Sequence, residues 1–332
     1  MFRYIAHRLL VMIPTLLAVS AIVFIIIQLP PGDYLETLIA EMQSRGEAVD
    51  LGQIEALRRA YGLDKPPIEQ YFSWLFGLFQ GDFGWSFEHN RPVSELIGDR
   101  VLLTFIVTFS TILFIWVVSF AIGTYVATRQ YSLADNVATF VGYLGLATPN
   151  FLLALILMYL ANQWFDLSIG GIMDDKFRNQ PWSFAKFGSV LQHLWIPVIV
   201  IGTSGTAGMI RRLRANLLDE LQKQYVVTAR AKGLHPRKVL WKYPLRVSLN
   251  PFIADIGSIL PDVISGSAIV AVVLNLDITG RMLLDALRSQ DMFLAGSFLM
   301  MLSLFVVIGT LLSDLALAAL DPRIRFSGGA TR

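Results

Sequence analysis

The chain contains no cysteine. That excludes disulfides, thiolate metal sites and cysteine nucleophiles, and it leaves the redox compartment undetermined. Charge is scarce. Only 16% of the 332 residues are Asp, Glu, Lys or Arg, against about a quarter in a soluble domain. The net charge of +2 names no partner, nucleic acid included. Histidine occurs four times, as His7, His89, His193 and His235, and no two stand at metal-ligand spacing. There is no Gly-Lys pair, so the Lys-bearing phosphate loop of an ATPase is missing. Internal repeats and low-complexity runs are also lacking.

What is present is apolar: 55% of the residues are hydrophobic, gathered in long uncharged runs. A helix needs about 20 apolar residues to cross a bilayer. Six runs qualify: Leu9–Leu29, Val101–Thr128, Asn136–Phe165, Leu194–Ile210, Leu249–Leu276 and Met292–Leu320. The first follows Arg3 and Arg8. It is long for a signal-peptide core and lacks a small-residue cleavage site, so it reads as a retained span. The expectation is an all-α polytopic transmembrane helical bundle of six spans.

The loops orient it. With the N-terminus inside, the internal segments 1–8, 129–135, 211–248 and 321–332 hold 16 of the 27 Lys and Arg in 65 residues. The external segments 30–100, 166–193 and 277–291 hold the other 11 in 114 residues. The positive-inside rule therefore places both termini in the cytoplasm. Three regions follow: 1–29 with the first span, an external segment 30–100, and a five-helix core 101–332. Within 30–100, Ile54, Leu57 and Tyr61 line one face of a short amphipathic helix. The aromatic stretch after it reads either as an interfacial cap or as a docking surface for an external partner.

The largest internal loop, 211–248, carries ten Lys and Arg against Asp219 and Glu220. It could enforce topology, bind anionic lipid, or dock a cytoplasmic protein. Leu217, Leu218, Leu221, Tyr225 and Ala229 fall at helical spacing. Gly233 is a helix stop, and Pro236 suits the start of a second helix. Helix, glycine turn and helix make a compact knob.

Acidic groups inside a bilayer usually face a bundle interior or an aqueous cavity. Asp255 and Asp262 stand seven apart in the fifth span, so they share a face. Either could line a translocation path, or Asp255 could sit at the membrane rim. Pro149 is expected to kink the third span, and Asn150 beside it is a pathway polar group or a packing contact. The tetrapeptide Gly202–Gly205 imitates the Gly-x-Ser-Gly of intramembrane serine proteases. A serine nucleophile needs a nearby base, and His193 lies about three turns from Ser204 on the same helix. Small residues at a helix interface explain the motif more simply.

The stretch YVVTARAKGLHPRKVLWKYPLR, Tyr225–Arg246, resembles the cytoplasmic signature loop of ATP-binding-cassette importer permeases of the dipeptide/oligopeptide/nickel group. Three further stretches are similar to the same family. They are RLLVMIPTLLAVSAIVFIIIQLPPGD near the N-terminus, GDFGWSFEHNRPVSELIGDRV, with Gly81, Asp82, Gly84, Ser86, Pro92, Val93 and Arg100, and ALDPRIRF near the C-terminus. Four motifs in family order cover nearly the whole chain. There are departures. Val227 stands where many permeases of the wider superfamily have Glu, and Arg246 where a Pro often closes the motif. Of the family's external Pro-Gly-x-Gly run only Gly280 remains, within VVLNLDITGRMLLDAL.

The resemblance implies a type I importer permease in a bacterial or archaeal cytoplasmic (inner) membrane. It implies a second, related permease, two ATPase subunits that hold ATP and Mg, and an extracytoplasmic solute-binding protein. This chain itself would carry no cofactor and no catalytic site. Tyr225, Thr228, Ala229, Arg230, Lys232 and Gly233 would form the ATPase-coupling face. Asp255, Asp262 and Asn150 are the pathway candidates. Members of the group carry peptides, and related systems carry oligosaccharides or nickel complexes. The alternative is an ion-gradient-driven secondary transporter that uses Asp255 and Asp262.

Overall fold

The computed structural model describes residues 2–29, 32, 34–46, 51–165, 170–177 and 180–320. Its elements, in chain order, are α1 Phe2–Gln28, α2 Tyr34–Ser44, α3 Leu51–Ala60, α4 Pro67–Phe79, β1 Trp85–Ser86, β2 Arg91–Pro92, α5 Val93–Thr128, α6 Leu133–Ala147, α7 Asn150–Phe165, α8 Phe184–Leu221, α9 Gln224–Ala231, α10 Pro236–Lys242, α11 Pro244–Ser248, α12 Asn250–Ala254, α13 Ile256–Val273, α14 Thr279–Arg288 and α15 Met292–Leu320. Helices dominate because an apolar chain in lipid must satisfy its backbone hydrogen bonds internally.

Among the described residues, α1, α5, α8 and α15 are each long and apolar enough to cross a membrane. The bent pair α6 and α7 adds a fifth crossing if counted as one. The expected kink at Pro149 is a 105° bend. Thr148 ends α6 in an extended conformation with ψ 121°, since the residue before proline is sterically driven out of the helical region. The expected fifth span is divided, with Asp255 at the joint between α12 and the 18-residue α13. The expected fourth span is longer than its apolar run: α8 has 38 residues. Ser183 caps its start by accepting from the Lys186 N–H. Lys186 is buried, and its Nζ donates to the Gln180 carbonyl at 2.8 Å and lies over the Trp182 ring.

The chain divides into two compact units. One comprises Ala6–Thr104 and Asp277–Val307. Here Trp85 and Ser86 pair antiparallel with Pro92 and Arg91. One core joins Val93, Leu96 and Ile97 of α5 to Met282 and Ala286 of α14 and Phe298 of α15. A second joins Val23 and Phe24 of α1 to Trp74, Phe87 and Met292. The expected amphipathic helix is α3; Ile54 is buried, and the Tyr61 ring lies 4.3 Å from that of Phe87.

The other unit contains the described residues between Phe105 and Leu276 and from Ile308 onward. Helices α6, α7, α11, α12 and α13 all pack against α8. Glycine permits the close approaches. A Cβ on Gly202 would stand 2.8 Å from the Phe114 ring, and one on Gly205 2.8 Å from Ile115. The Gly202–Gly205 tetrapeptide is therefore a seat for α5. His193 is buried, with Nδ1 2.8 Å from the Ser189 carbonyl of its own helix.

Candidate functional site

The knob forms as helix, turn and helix. Helix α8 stops at Gln222, Lys223 is extended, and α9 begins at Gln224. Gly233 turns the chain with φ +73°, a left-handed conformation open to glycine at no steric cost. Pro236 then opens α10 at its first turn, where a missing N–H costs nothing. His235 Nδ1 accepts from the Arg237 N–H at 3.3 Å.

Inside the knob, Val226, Ala229 and Val239 are buried together, with Leu234 and Tyr243 packed around them. Ala229 holds its expected place on the apolar face, and Val226 takes the place expected of Tyr225. The inward face of α9 is Val226 and Ala229, and Tyr225 is exposed, because the break at Gln222–Lys223 separates α9 from α8. Ala229 thus closes the knob's own core. Thr228, Arg230, Lys232 and Gly233 are exposed, as is Val227. The Tyr225 hydroxyl donates to Glu220. Partial burial, and then the Glu220 carboxylate, push this phenol far above its ordinary range, so it remains a donor.

The knob is fixed to the long helices. Leu240 of α10 and Leu245 of α11 pack on Leu217, Leu218 and Leu221 of α8 and on Phe120 and Ala127 of α5. The Trp241 ring lies 5.9 Å from that of Phe120.

A cavity of about 280 Å³ lies in the same unit. It is lined by Ile115 of α5, Asn150 of α7, Ser204, Gly208 and Arg212 of α8, and Ile259 of α13, among others. Arg212 Nη1 stands 2.6 Å from Asp255 Oδ2. The structure thus brings two of the three pathway candidates to one place: Asn150 on the cavity wall and Asp255 paired to a wall residue. The side chain of Asp262 lies outside the described residues. Arg212 and Ser204 join the pathway candidates only through the fold. The one available signal was an arginine pair closing a span.

A second ion pair fixes the loop before α6. Arg214 Nε and Nη2 each donate to Asp135 at 2.7 Å in a bidentate pair. The same buried carboxylate accepts from the Tyr131 N–H, and Ser132 caps α6.

In the other unit, the GDFGWSF motif is architectural. Asp82 Oδ1 accepts from the Gly84 N–H at 2.9 Å. Gly84 has φ +81°, and a Cβ there would stand 2.5 Å from the Phe293 ring. Ser86 Oγ donates to Asp291 Oδ2 at 2.6 Å, and the Glu88 N–H donates to the same oxygen. Asp291 Oδ1 accepts from the Leu294 N–H at the start of α15. Gly280 is buried in the first turn of α14, where the Thr279 N–H donates to Thr104 Oγ1. Within the external segment 277–291, α14 buries Met282 and Ala286, which stand four apart on one helical face.

Comparison with known proteins bears on these features together. The family of binding-protein-dependent transport system inner membrane components matches residues 119–326. Its N-terminal companion, the binding-protein-dependent transport system membrane component N-terminal region, matches residues 1–108. An oligopeptide transport system permease protein of Bacillus subtilis (strain 168) is 32% identical over 327 residues, which cover 98% of this chain and all of the relative. A glutathione transport system permease protein of Pectobacterium atrosepticum is 32% identical over 326 residues with the same coverage. A peptidoglycan transport system permease protein of Agrobacterium fabrum is 29% identical over 360 residues, covering 98% of this chain and 99% of its own length.

Proposed function

The chain belongs to the family of binding-protein-dependent transport system inner membrane components, and we propose that it is a permease subunit that carries a peptide-like solute inward by alternating access, driven by ATP hydrolysed in partner subunits. As a member of that family it is a multi-pass inner-membrane protein and a transport component. In the proposed assembly it pairs with a second, related permease. Two ATPase subunits with their ATP and Mg lie on the cytoplasmic side, and a solute-binding protein lies outside. Both termini are cytoplasmic, and α13 supplies the sixth crossing.

One observation carries this reading. The α9–Gly233–α10 knob exposes Thr228, Arg230 and Lys232 while its own core and its anchors on α5 and α8 are complete. A loop that only enforced topology would need its charge and nothing more. This one is a rigid lever with a free face, on a chain without a phosphate loop. Tyr225, Thr228, Ala229, Arg230, Lys232 and Gly233 are the proposed coupling residues, with Ala229 acting from inside. Relatives named for oligopeptide and glutathione transport favour a peptide over an oligosaccharide. The gradient-driven alternative is weakened because Arg212 already engages Asp255.

The experiment is Gly233→Val in the reconstituted complex. No atom lies within 4 Å of the added Cβ, so the change acts through the backbone. A branched residue held at positive φ costs about 1–2 kcal/mol, which displaces the turn. Uptake is expected to fall while ATP hydrolysis continues uncoupled. Full uptake in a normally assembled complex would remove the coupling role. Uptake that ignores ATP and follows an ion gradient would instead favour the secondary-transporter reading.

A further inference from the structure

Helix α4 presents three faces, set by the 100° step between successive helical residues. The first is protein-facing. Trp74 and Leu75 are buried, and Tyr71, Trp74 and Leu78 pack with Val23 and Phe24 of α1 and Met292 of α15. The second is polar and carries Glu69, Ser73 and Gln80 along an open groove that also includes Lys65 and Asp82 and borders the next face at Phe72 and Phe76. The third is a stripe of Ile68, Phe72, Phe76 and Phe79, each between 49% and 75% exposed. That pattern of i, i+4, i+8 and i+11 is one unbroken apolar face.

The contacts of the first face set its depth. Gln28, at the end of α1, donates from Nε2 to Gln70 at 3.2 Å. One residue later, the Tyr71 hydroxyl shares a 2.8 Å hydrogen bond with Ser20. Ser20 lies about 12 Å along α1 from Gln28 at 1.5 Å per residue. On α15, a Cβ at Gly296 would stand 3.0 Å from Trp74, and Leu299 and Met300 join the same cluster. These positions lie about 6–12 Å inside the Met292 end of the helix by the same rise. Both helices have the length and hydropathy of membrane spans. A hydrocarbon core is about 30 Å thick, so the protein-facing side of α4 reaches down beside the outer part of one leaflet.

We propose that α4 lies in the membrane interface, with Ile68, Phe72, Phe76 and Phe79 inserted among the lipid acyl chains of the leaflet at the Gln28 end of α1. Three faces suit three surroundings: protein, lipid and water. Helix α1 likewise exposes Ile22, Ile25, Ile26 and Leu29 toward its Gln28 end. An interfacial helix of this kind buries its apolar side about 5–10 Å into the headgroup and acyl boundary, which agrees with the depth of its contacts. The segment between α1 and α5 is then held in the bilayer at α4, and its polar face is turned to the water where a binding protein would arrive. This inference rests on α1 and α15 crossing a membrane and is independent of the solute and of ATP coupling.

The test uses the full chain, which has no cysteine of its own. Phe72→Cys, Phe76→Cys, Ser73→Cys and Gln80→Cys each receive one fluorescent label, and the protein is reconstituted in phosphatidylcholine vesicles. Brominated lipid should quench labels at positions 72 and 76 severalfold more than aqueous iodide does, with the reverse at 73 and 80. Iodide quenching at 72 and 76 equal to that at 73 would place the stripe in water and overturn the proposal. Protection of 72 and 76 from both quenchers, in the complex with its partner permease, would make the stripe a protein interface and overturn it equally. If the cysteine variants fail to assemble, Phe76→Trp, read as the fluorescence added over the seven native tryptophans and quenched by brominated lipid or by iodide, gives the comparison at position 76.

Discussion

Arg212 Nη1 meets Asp255 Oδ2 at 2.6 Å and so ties α8 to the joint between α12 and α13, at the wall of the cavity that Asn150 also lines. The Arg212 side chain is 51% exposed, and that of Asp255 is 16% exposed. If the proposed alternating access parts these two elements, this ion pair would act as a latch between them.

Reversing one charge should release the latch. Asp255→Lys places like charges together, and Arg212→Asp does the same. Each is expected to raise solute leak through reconstituted vesicles without ATP. The double variant, with the charges exchanged, should restore tightness. Because Arg212 is half exposed, solvent screening limits the stability change to about 1 kcal/mol. Vesicles that remain as tight as wild type with either single variant would remove the latch role.

Gly84→Ala should destabilise the unit that contains α1 and α4. The backbone at φ +81° resists a side chain, and the Phe293 ring occupies the space the Cβ needs. Overpacking of this kind costs about 1–3 kcal/mol, and the positive φ adds about 1–2. Thermal unfolding of the solubilised protein measures the sum. Measured against Phe293→Ala alone, which removes the clashing ring, Gly84→Ala should cost only the backbone part.

Asp291 makes this same unit sensitive to pH. Burial pushes its carboxyl above the ordinary carboxylate range, against the opposing bonds from Ser86 and from the N–H groups of Leu294, Glu88 and Phe87. The folded state therefore holds this proton more tightly than the unfolded chain does. Stability from this group is greatest below the unfolded value of about 4. It is lost as pH rises from there through the raised folded value, then stays constant. The Asp291→Asn variant should flatten that slope. It should also cost about 1–3 kcal/mol, because an amide nitrogen cannot accept the bonds that one carboxylate oxygen takes from Ser86 and Glu88. Unfolding curves of both proteins between acid and neutral pH decide the matter. An unchanged slope in the variant would assign the pH dependence elsewhere.

Several elements could be read directly because their causes are local. Helix α15 spans Met292–Leu320, the full extent of its apolar run. The break before α7 follows from Pro149, and the turn after α9 from Gly233. Helix α8 was harder to read. Lys186 looks like a boundary, yet its ammonium group is satisfied by Gln180 and Trp182 inside the helix's first turn. On α9 the expected apolar face keeps Ala229 and exchanges Tyr225 for Val226, because helical spacing from Ala229 suits either residue. Only the packing of Leu234 and Val239 selects Val226.

By itself the sequence determined the extent of the first, second and last apolar runs and the breaks at Pro149 and Gly233. Those properties depend on runs of neighbouring residues and on backbone chemistry at single positions. The tertiary structure decided which charges neutralise one another and what each glycine admits. Asp135 and Arg214 stand 79 positions apart, and Ser86 and Asp291 stand 205 apart. Such pairings come from how whole helices pack, because the energy of a charge inside a membrane protein depends on the partner that folding brings to it.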